Sequence, residues 1–203
     1  IAGLLAFLIV VELFMPWVML ALAPGFAGDP ERFGLAVELT RITFPYLPLI
    51  SLVALWGGML NSLGRFGPMA AAPILLNLIL IAALLGLAGV FETPGHLLAW
   101  GVSAAGLAQA VFVGISCWRN GALPRIRLPR LTPEVKKLFK LALPAAIGAG
   151  VVQVNLLIDV VLASLLPAGS VSFLYYADRV VQLPLGVVGV AIGTALLPLL
   201  SRQ

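Results

Sequence analysis

SVSFLYYADRVVQLP, Ser170–Pro184, lies in apolar sequence and runs on as LGVVGVAIGTALLPLL to Leu200. The apolar run is long enough to cross a bilayer as a helix, which takes about 20 residues. Yet the stretch carries Tyr175, Tyr176, Asp178, Arg179 and Gln182. A charged side chain at the centre of a bilayer helix costs about 2.5–3.5 kcal/mol on insertion scales, so such residues usually serve a site. Asp178 and Arg179 are adjacent, about 100° apart around a helix, and do not face each other as an i,i+4 pair would. Each is expected to find its partner elsewhere. Tyr175 and Gln182 flank Arg179 at helical spacing and make a polar stripe with it. Pro184 has no amide hydrogen, which leaves the carbonyl of Val180 without its usual partner. The stretch predicts a kinked membrane helix that points an arginine at an anion.

The rest of the chain agrees with a membrane setting. Of 203 residues, 62% are hydrophobic and only 10% charged. Soluble domains carry about 25% charged residues, and the mean hydropathy here is +1.13. The fold class expected is all-α, a polytopic helical membrane protein. A transmembrane β-barrel would show short alternating segments, which are absent. The chain opens on Ile1 directly into an apolar run, with no basic region or cleavage site before it. That reads as an internal segment of a longer chain and not as a signal peptide. A single cysteine, Cys117, excludes an internal disulfide and a cysteine-cluster metal site. The net charge of +4 reflects where basic residues sit relative to the membrane and requires no nucleic-acid partner.

Six spans are predicted: Ala2–Leu22, Leu35–Leu60, Met69–Val90, Leu97–Trp118, Leu138–Leu166 and Ser172–Leu200. The last two are long enough to tilt or kink. Basic residues fix the orientation. Arg65, Arg119, Arg125, Arg127, Arg130, Lys136, Lys137 and Lys140 lie in or beside the second and fourth connections, and Arg202 follows the sixth span on the same side. The opposite connections hold Arg32 with Asp29, Glu31 and Glu92. The first side is therefore cytoplasmic. The longest connection, residues 119–137, reads as a basic cytoplasmic connector between two helix bundles. Thr132, Pro133 and Glu134 form a helix start. They open a short basic helix that is expected to lie along the interface, against anionic lipid, before the fifth span enters.

Several polar residues inside the spans have two readings. Glu12 either lines a cavity or is paired within the bundle. Glu38 and Arg41 stand at i,i+3 and can pair near the outer surface; alternatively Arg41 is a second cation facing a cavity. Pro45 frees the carbonyl of Arg41, and Pro48 adds a second break. Asn77 is expected to hold helices together by a hydrogen bond, and Gly101, Ala105 and Gly106 to allow close helix approach. His96, in a short outer loop after Pro94-Gly95, has no ligand partner in sequence and is not read as a metal site. In the fifth span Asn155 and Asp159 are i,i+4 neighbours; the acid backed by an amide either binds a coupling proton or sodium ion or makes a structural hydrogen bond. Gly189 and Gly193 form a GxxxG face on the sixth span.

LAPGF at Leu22–Phe26, ELTRITFPYL at Glu38–Leu47, GMLNSLGRFGPMAAAPILLN at Gly58–Asn77 and SVSFLYYADRVVQLPLGVVGVAIGTALLPLLS at Ser170–Ser201 resemble the bacterial lipid II flippase (MurJ/MviN) family of the multidrug/oligosaccharidyl-lipid/polysaccharide exporter superfamily. The similarity runs the whole length, and the YYADR…P…GVxGVAxGT stretch is its most specific part. The resemblance implies a multi-pass protein of the bacterial inner membrane, with two helix bundles around a central cavity. Such a protein moves the undecaprenyl-diphosphate-linked peptidoglycan precursor to the periplasmic leaflet by alternating access. It implies that residues 1–118 end the first bundle with four spans, that residues 119–137 connect the bundles, and that residues 138–203 start the second with two spans. The family's cavity arginine in its eighth helix falls on Arg179. Many relatives carry a glutamate near Gln182; this chain lacks that carboxylate, and with it any protonation there.

The residues fit that chemistry independently. Guanidinium groups hold phosphate oxygens through fixed, bidentate donors. The residues expected to bind a lipid-linked diphosphate are Arg179, Asp178, Tyr175, Gln182 and Arg41, with Asp159 and Asn155 as the ion-coupling candidates. No cofactor is expected beyond a coupling cation (sodium or a proton) or the membrane potential. Expected partners are the lipid substrate, membrane lipids and proteins of cell-wall synthesis. No nucleotide-binding loop, nucleophile–base pair or metal cluster occurs, so an enzyme is not expected. The competing readings are another exporter of the superfamily, handling a polysaccharide lipid or a cationic drug, and a non-transporting scaffold for cell-wall synthesis.

Overall fold

The structure is a computed structural model that describes residues 2–91, 93–122, 133–182 and 184. All regular structure among them is helical. Helices α1 (Ala2–Leu13) and α2 (Met15–Leu22) make one broken span, bent by 79°. The cause is local. Pro16 has no amide hydrogen to give, and the amides of Trp17 and Val18 both turn to the Phe14 carbonyl, at 3.0 and 3.1 Å. A short 3-10 turn, Pro24–Gly28, follows. Helix α3 (Pro30–Thr43) then starts on Asp29, whose carboxylate accepts the Arg32 amide at 3.1 Å. α3 and α4 (Tyr46–Ser62) run on as one 33-residue span, broken at Phe44–Pro45.

Helix α5 (Gly67–Gly86) is the third span and α6 (Pro94–Arg119) the fourth. α4 and α6 both end in left-handed glycines: Gly64 at φ 74° and Gly121 at φ 65°. In each case the amide after the glycine returns to the helix, Arg65 to the Leu60 carbonyl and Ala122 to the Cys117 carbonyl, both at 2.9 Å. Two expectations are corrected here. His96 is not in a loop: Thr93 caps α6 and Pro94 opens it, so His96 belongs to the first turn. Nor does the basic stretch form a separate interfacial helix. α7 runs unbroken from Pro133 to Ser164, 32 residues, and carries Lys136, Lys137 and Lys140 in its first turns. No glycine or proline lies between Glu134 and Leu143 to end it.

Among the described residues, four helices are long and apolar enough to cross a membrane, and the bent α1–α2 pair together is long and apolar enough to make a fifth. The sixth predicted span is helical over residues 170–182, here called α8, and at Pro184. The Gly189/Gly193 face, Arg202, Glu92, Thr132 and the arginines at 125, 127 and 130 lie outside the described residues.

The chain clusters into two compact units: Ile1–Leu20 with Asp29–Lys140, and Ala21–Gly28 with Leu141–Gln203. The core of the first unit lies among α4, α5 and α6, where Val53, Leu60, Ala72, Ala110, Val113 and Cys117 are buried. The small residues of α6 make this possible. A Cβ on Gly106 would meet the Tyr46 ring at 2.6 Å, and one on Gly114 the Trp56 ring at 2.9 Å. Large α4 side chains thus fill the notches that α6 leaves, as close helix packing requires. In the second unit, Ala163 and Ser164 at the end of α7 are buried, Ser164 against the Pro24–Gly28 turn. There the Gly25 amide donates to Ser164 Oγ at 3.2 Å.

Candidate functional site

In the second unit, α8 brings Tyr175, Asp178, Arg179 and Gln182 together on one surface. Arg179 Nη1 donates to Gln182 Oε1 at 3.1 Å, and Gln182 Nε2 donates to Asp178 Oδ2 at 2.6 Å. The guanidinium also lies over the Tyr175 ring, 5.1 Å from its centroid, at cation–π distance. Asp178 and Arg179 do not pair with each other; as their adjacency implies, each finds its partner elsewhere on the helix. The Gln182 amide, one turn on, offers an oxygen to the cation and a hydrogen to the anion, and so bridges them. A glutamate at 182 has no hydrogen to give Asp178 and would pair directly with Arg179. Of the five N–H donors of Arg179, one goes to Gln182. The side chain is exposed, and the others have no hydrogen-bond partner among the described residues. Tyr176 meets Tyr175 edge-on at 5.9 Å.

Asp159 lines an open groove of about 460 Å³ with Leu162, Ala163, Ser170, Phe173 and Ala177. It is half-buried, whereas Asn155 and Gln153 are exposed. The pair expected at i,i+4 is not hydrogen-bonded among the described residues.

The first unit holds a second charged group, on α3. Arg41 Nε lies 4.0 Å from Glu12 Oε2, beside the break between α1 and α2. Glu38 does not pair with Arg41 as its i,i+3 spacing predicts. Its Oε1 lies 3.4 Å from His96 Nε2, at the start of α6. His96 Nδ1 in turn lies 2.8 Å from Thr93 Oγ1. Deeper in the unit, Gln109 is 1% exposed and donates to the Ala72 carbonyl at 2.6 Å, tying α6 to α5. Ser103 Oγ donates to the Ile42 carbonyl, tying α6 to α3. Asn77, expected to do this work, is exposed and makes no hydrogen bond among the described residues.

A family model described as lipid II flippase MurJ matches residues 1–203. The chain is 50% identical over 205 residues to a probable lipid II flippase MurJ of Rhizobium meliloti (strain 1021), covering 98% of this chain and 38% of that protein. It is 42% identical over 175 residues to the probable lipid II flippase MurJ of Haemophilus influenzae, covering 86% of this chain and 34% of that one. It is 40% identical over 190 residues to the lipid II flippase MurJ of Burkholderia cenocepacia, covering 92% and 37%. The chain belongs to the lipid II flippase MurJ family.

It spans less than two-fifths of the length of these MurJ relatives. Within this MurJ segment, sequence reading found the α8 stripe because its members share one helix, where spacing gives proximity. It missed the contact between Glu38 and His96, whose only signal is two ionisable residues near the same predicted side. It gave Gln109 no role. A long amide among small residues in a packed helix is the signal that marks it as a cross-helix donor.

Proposed function

We propose that this segment is part of a flippase of the bacterial inner membrane that moves undecaprenyl-diphosphate-linked peptidoglycan precursor between leaflets by alternating access. Family membership over the whole chain supports the transport class, and its lipid II flippase relatives support the substrate class. The observation that carries the reading is the exposed Arg179 guanidinium, steadied by Gln182 and Tyr175 with donors to spare. Diphosphate oxygens accept from such a planar fork in pairs. Gln182 keeps Asp178 near the cation without letting it neutralise Arg179 directly. Arg41 is a second cation for the same anionic substrate, and membrane lipids and cell-wall synthesis proteins are the remaining partners. Transport needs binding and release without bond cleavage, so the segment acts as a carrier and not as an enzyme. Asp159 is the site of a coupling cation or proton, with Asn155 one turn away. The excess of basic residues around Arg65 and Arg119–Lys137 places those connections in the cytoplasm.

The test is complementation of a flippase-depleted cell by the full-length protein, with membrane levels checked by blot. Arg179→Ala should abolish growth, and Arg179→Lys should fail or be severely impaired, because lysine keeps the charge but loses the fork. Gln182→Glu should also impair growth, by pairing with Arg179. Full growth with Arg179→Ala at normal protein level would sink the assignment.

A further inference from the structure

The ionisable groups of the first unit form two contacts with α3 between them. His96 of α6 reaches Glu38, and Glu12 of α1 reaches Arg41. Glu38 and Arg41 stand three residues apart on α3, a spacing at which opposite charges attract. Glu38 thus has two cationic neighbours to choose between, and Arg41 has two carboxylates. The choice depends on His96, whose ring exists in a neutral and a charged form.

An ionised carboxylate only accepts, so the ring form that suits Glu38 Oε1, 3.4 Å away, carries its hydrogen on Nε2. In that form a second proton enters at Nδ1, 2.8 Å from Thr93 Oγ1. That hydroxyl already accepts the His96 backbone amide at 3.3 Å. It donates to the neutral ring and, with its remaining lone pair, accepts from the imidazolium. Both protonation states are satisfied without moving the ring. The His96 side chain is 13% exposed and that of Glu38 62%, so the charge of His96 reaches Glu38 through a partly screened contact. The other charged or titratable groups on the elements against α6 are Glu31 and Arg32 in the first turn of α3 and Tyr46 on α4; α5 carries none. Glu12 Oε1 is buried with no hydrogen-bond partner among the described residues. Arg41 is thus the one cation recorded against the Glu12 carboxylate among the described residues.

We infer that His96 is a positioning residue for Arg41. Protonated His96 occupies Glu38 and leaves Arg41 to Glu12. Neutral His96 releases Glu38 to compete for Arg41 from its own helix, which weakens the Glu12–Arg41 pair. Proton supply at this end of α6 thereby sets which carboxylate holds Arg41. The functional consequence rests on the proposed role of Arg41 towards the anionic substrate; the switch itself does not.

The test is a double-mutant cycle of Glu12→Gln and Arg41→Gln in the full-length protein, read at about pH 6 and about pH 8. It is read first as the unfolding equilibrium of the purified protein, which assumes nothing about substrate. It is then read as transport of a lipid-linked diphosphate by proteoliposomes. The Glu12–Arg41 coupling should be about fivefold stronger at the lower pH, the low end of coupling between linked sites. In a His96→Gln background it should be the same at both, and Thr93→Ser should keep the pH dependence. If His96→Gln does not reach the membrane, Glu38→Gln removes the same competition and should also flatten the response. Equal coupling at both pH values in the unaltered protein overturns the inference, as does a pH dependence that survives His96→Gln. A pH-dependent unfolding cycle with transport indifferent to Arg41→Gln would uphold the switch and remove Arg41 from substrate binding.

Discussion

Replacing Gly25 by alanine should undock the Pro24–Gly28 turn from the end of α7. A Cβ on Gly25 would sit 1.9 Å from the Ser164 carbonyl oxygen, 2.3 Å from its carbon and 2.7 Å from the Leu165 nitrogen. Carbon needs roughly 3.5 Å, so the turn must retreat by more than about 1 Å. The obstacle is backbone at a helix end, which cannot swing aside as a side chain could. Retreat breaks the hydrogen bond from the Gly25 amide to Ser164 Oγ, a net loss of about 0.5–1.5 kcal/mol. It also uncovers Ala23, beside the turn, which is 3% exposed. Each apolar methyl exposed costs about 0.8 kcal/mol. Ser164 keeps its other bond, to the Val161 carbonyl at 2.7 Å, so the hydroxyl itself is not orphaned. The sum is about 1.3–2.3 kcal/mol, or a rise of roughly ten- to fiftyfold in the undocked population. The assay is maleimide labelling of an Ala23→Cys variant in the full-length protein, at known protein levels. In the Gly25→Ala background the rate should rise at least about tenfold. Ser164→Ala, which removes only the hydrogen bond, should raise it by less, about fivefold. An unchanged rate with Gly25→Ala would refute the argument, because no docked geometry accommodates that Cβ without moving backbone.

Two further outcomes are expected. Asp159→Asn in the full-length protein should weaken the dependence of transport on sodium, on protons or on the membrane potential, since it removes the half-buried carboxylate of the α7–α8 groove. Unchanged ion dependence would return Asp159 to a purely structural role. Cysteines replacing Gly28 or Gly95 should react with an impermeant reagent from outside, and one replacing Gly121 only from inside; inverted labelling would overturn the orientation.

The sequence by itself determined what is local. Apolar runs gave the spans, because a helix in lipid satisfies its own backbone and needs no partner to be legible. Pro45 marked where the second span breaks, while the bend at Pro16 and the left-handed ends at Gly64 and Gly121 came from the structure, though their causes are equally local. The Tyr175–Gln182 stripe was legible for the same reason, since residues one turn apart on α8 must be neighbours. Even there, the adjacency of Asp178 and Arg179 concealed that the Gln182 amide joins them.

Only the tertiary structure decided which groups meet across helices. Spacing offered Arg41 as the partner of Glu38; packing gave Glu38 to His96 and Arg41 to Glu12. Gln109, 37 residues from Ala72, and Gly25, 139 residues from Ser164, found partners that no periodicity could name. Helical spacing fixes which face a side chain occupies, but not which helix stands opposite. In a chain this apolar, most lipid-facing and protein-facing positions read alike. Their assignment falls to the close fit of small residues against large ones, as Gly106 meets Tyr46 and Gly114 meets Trp56.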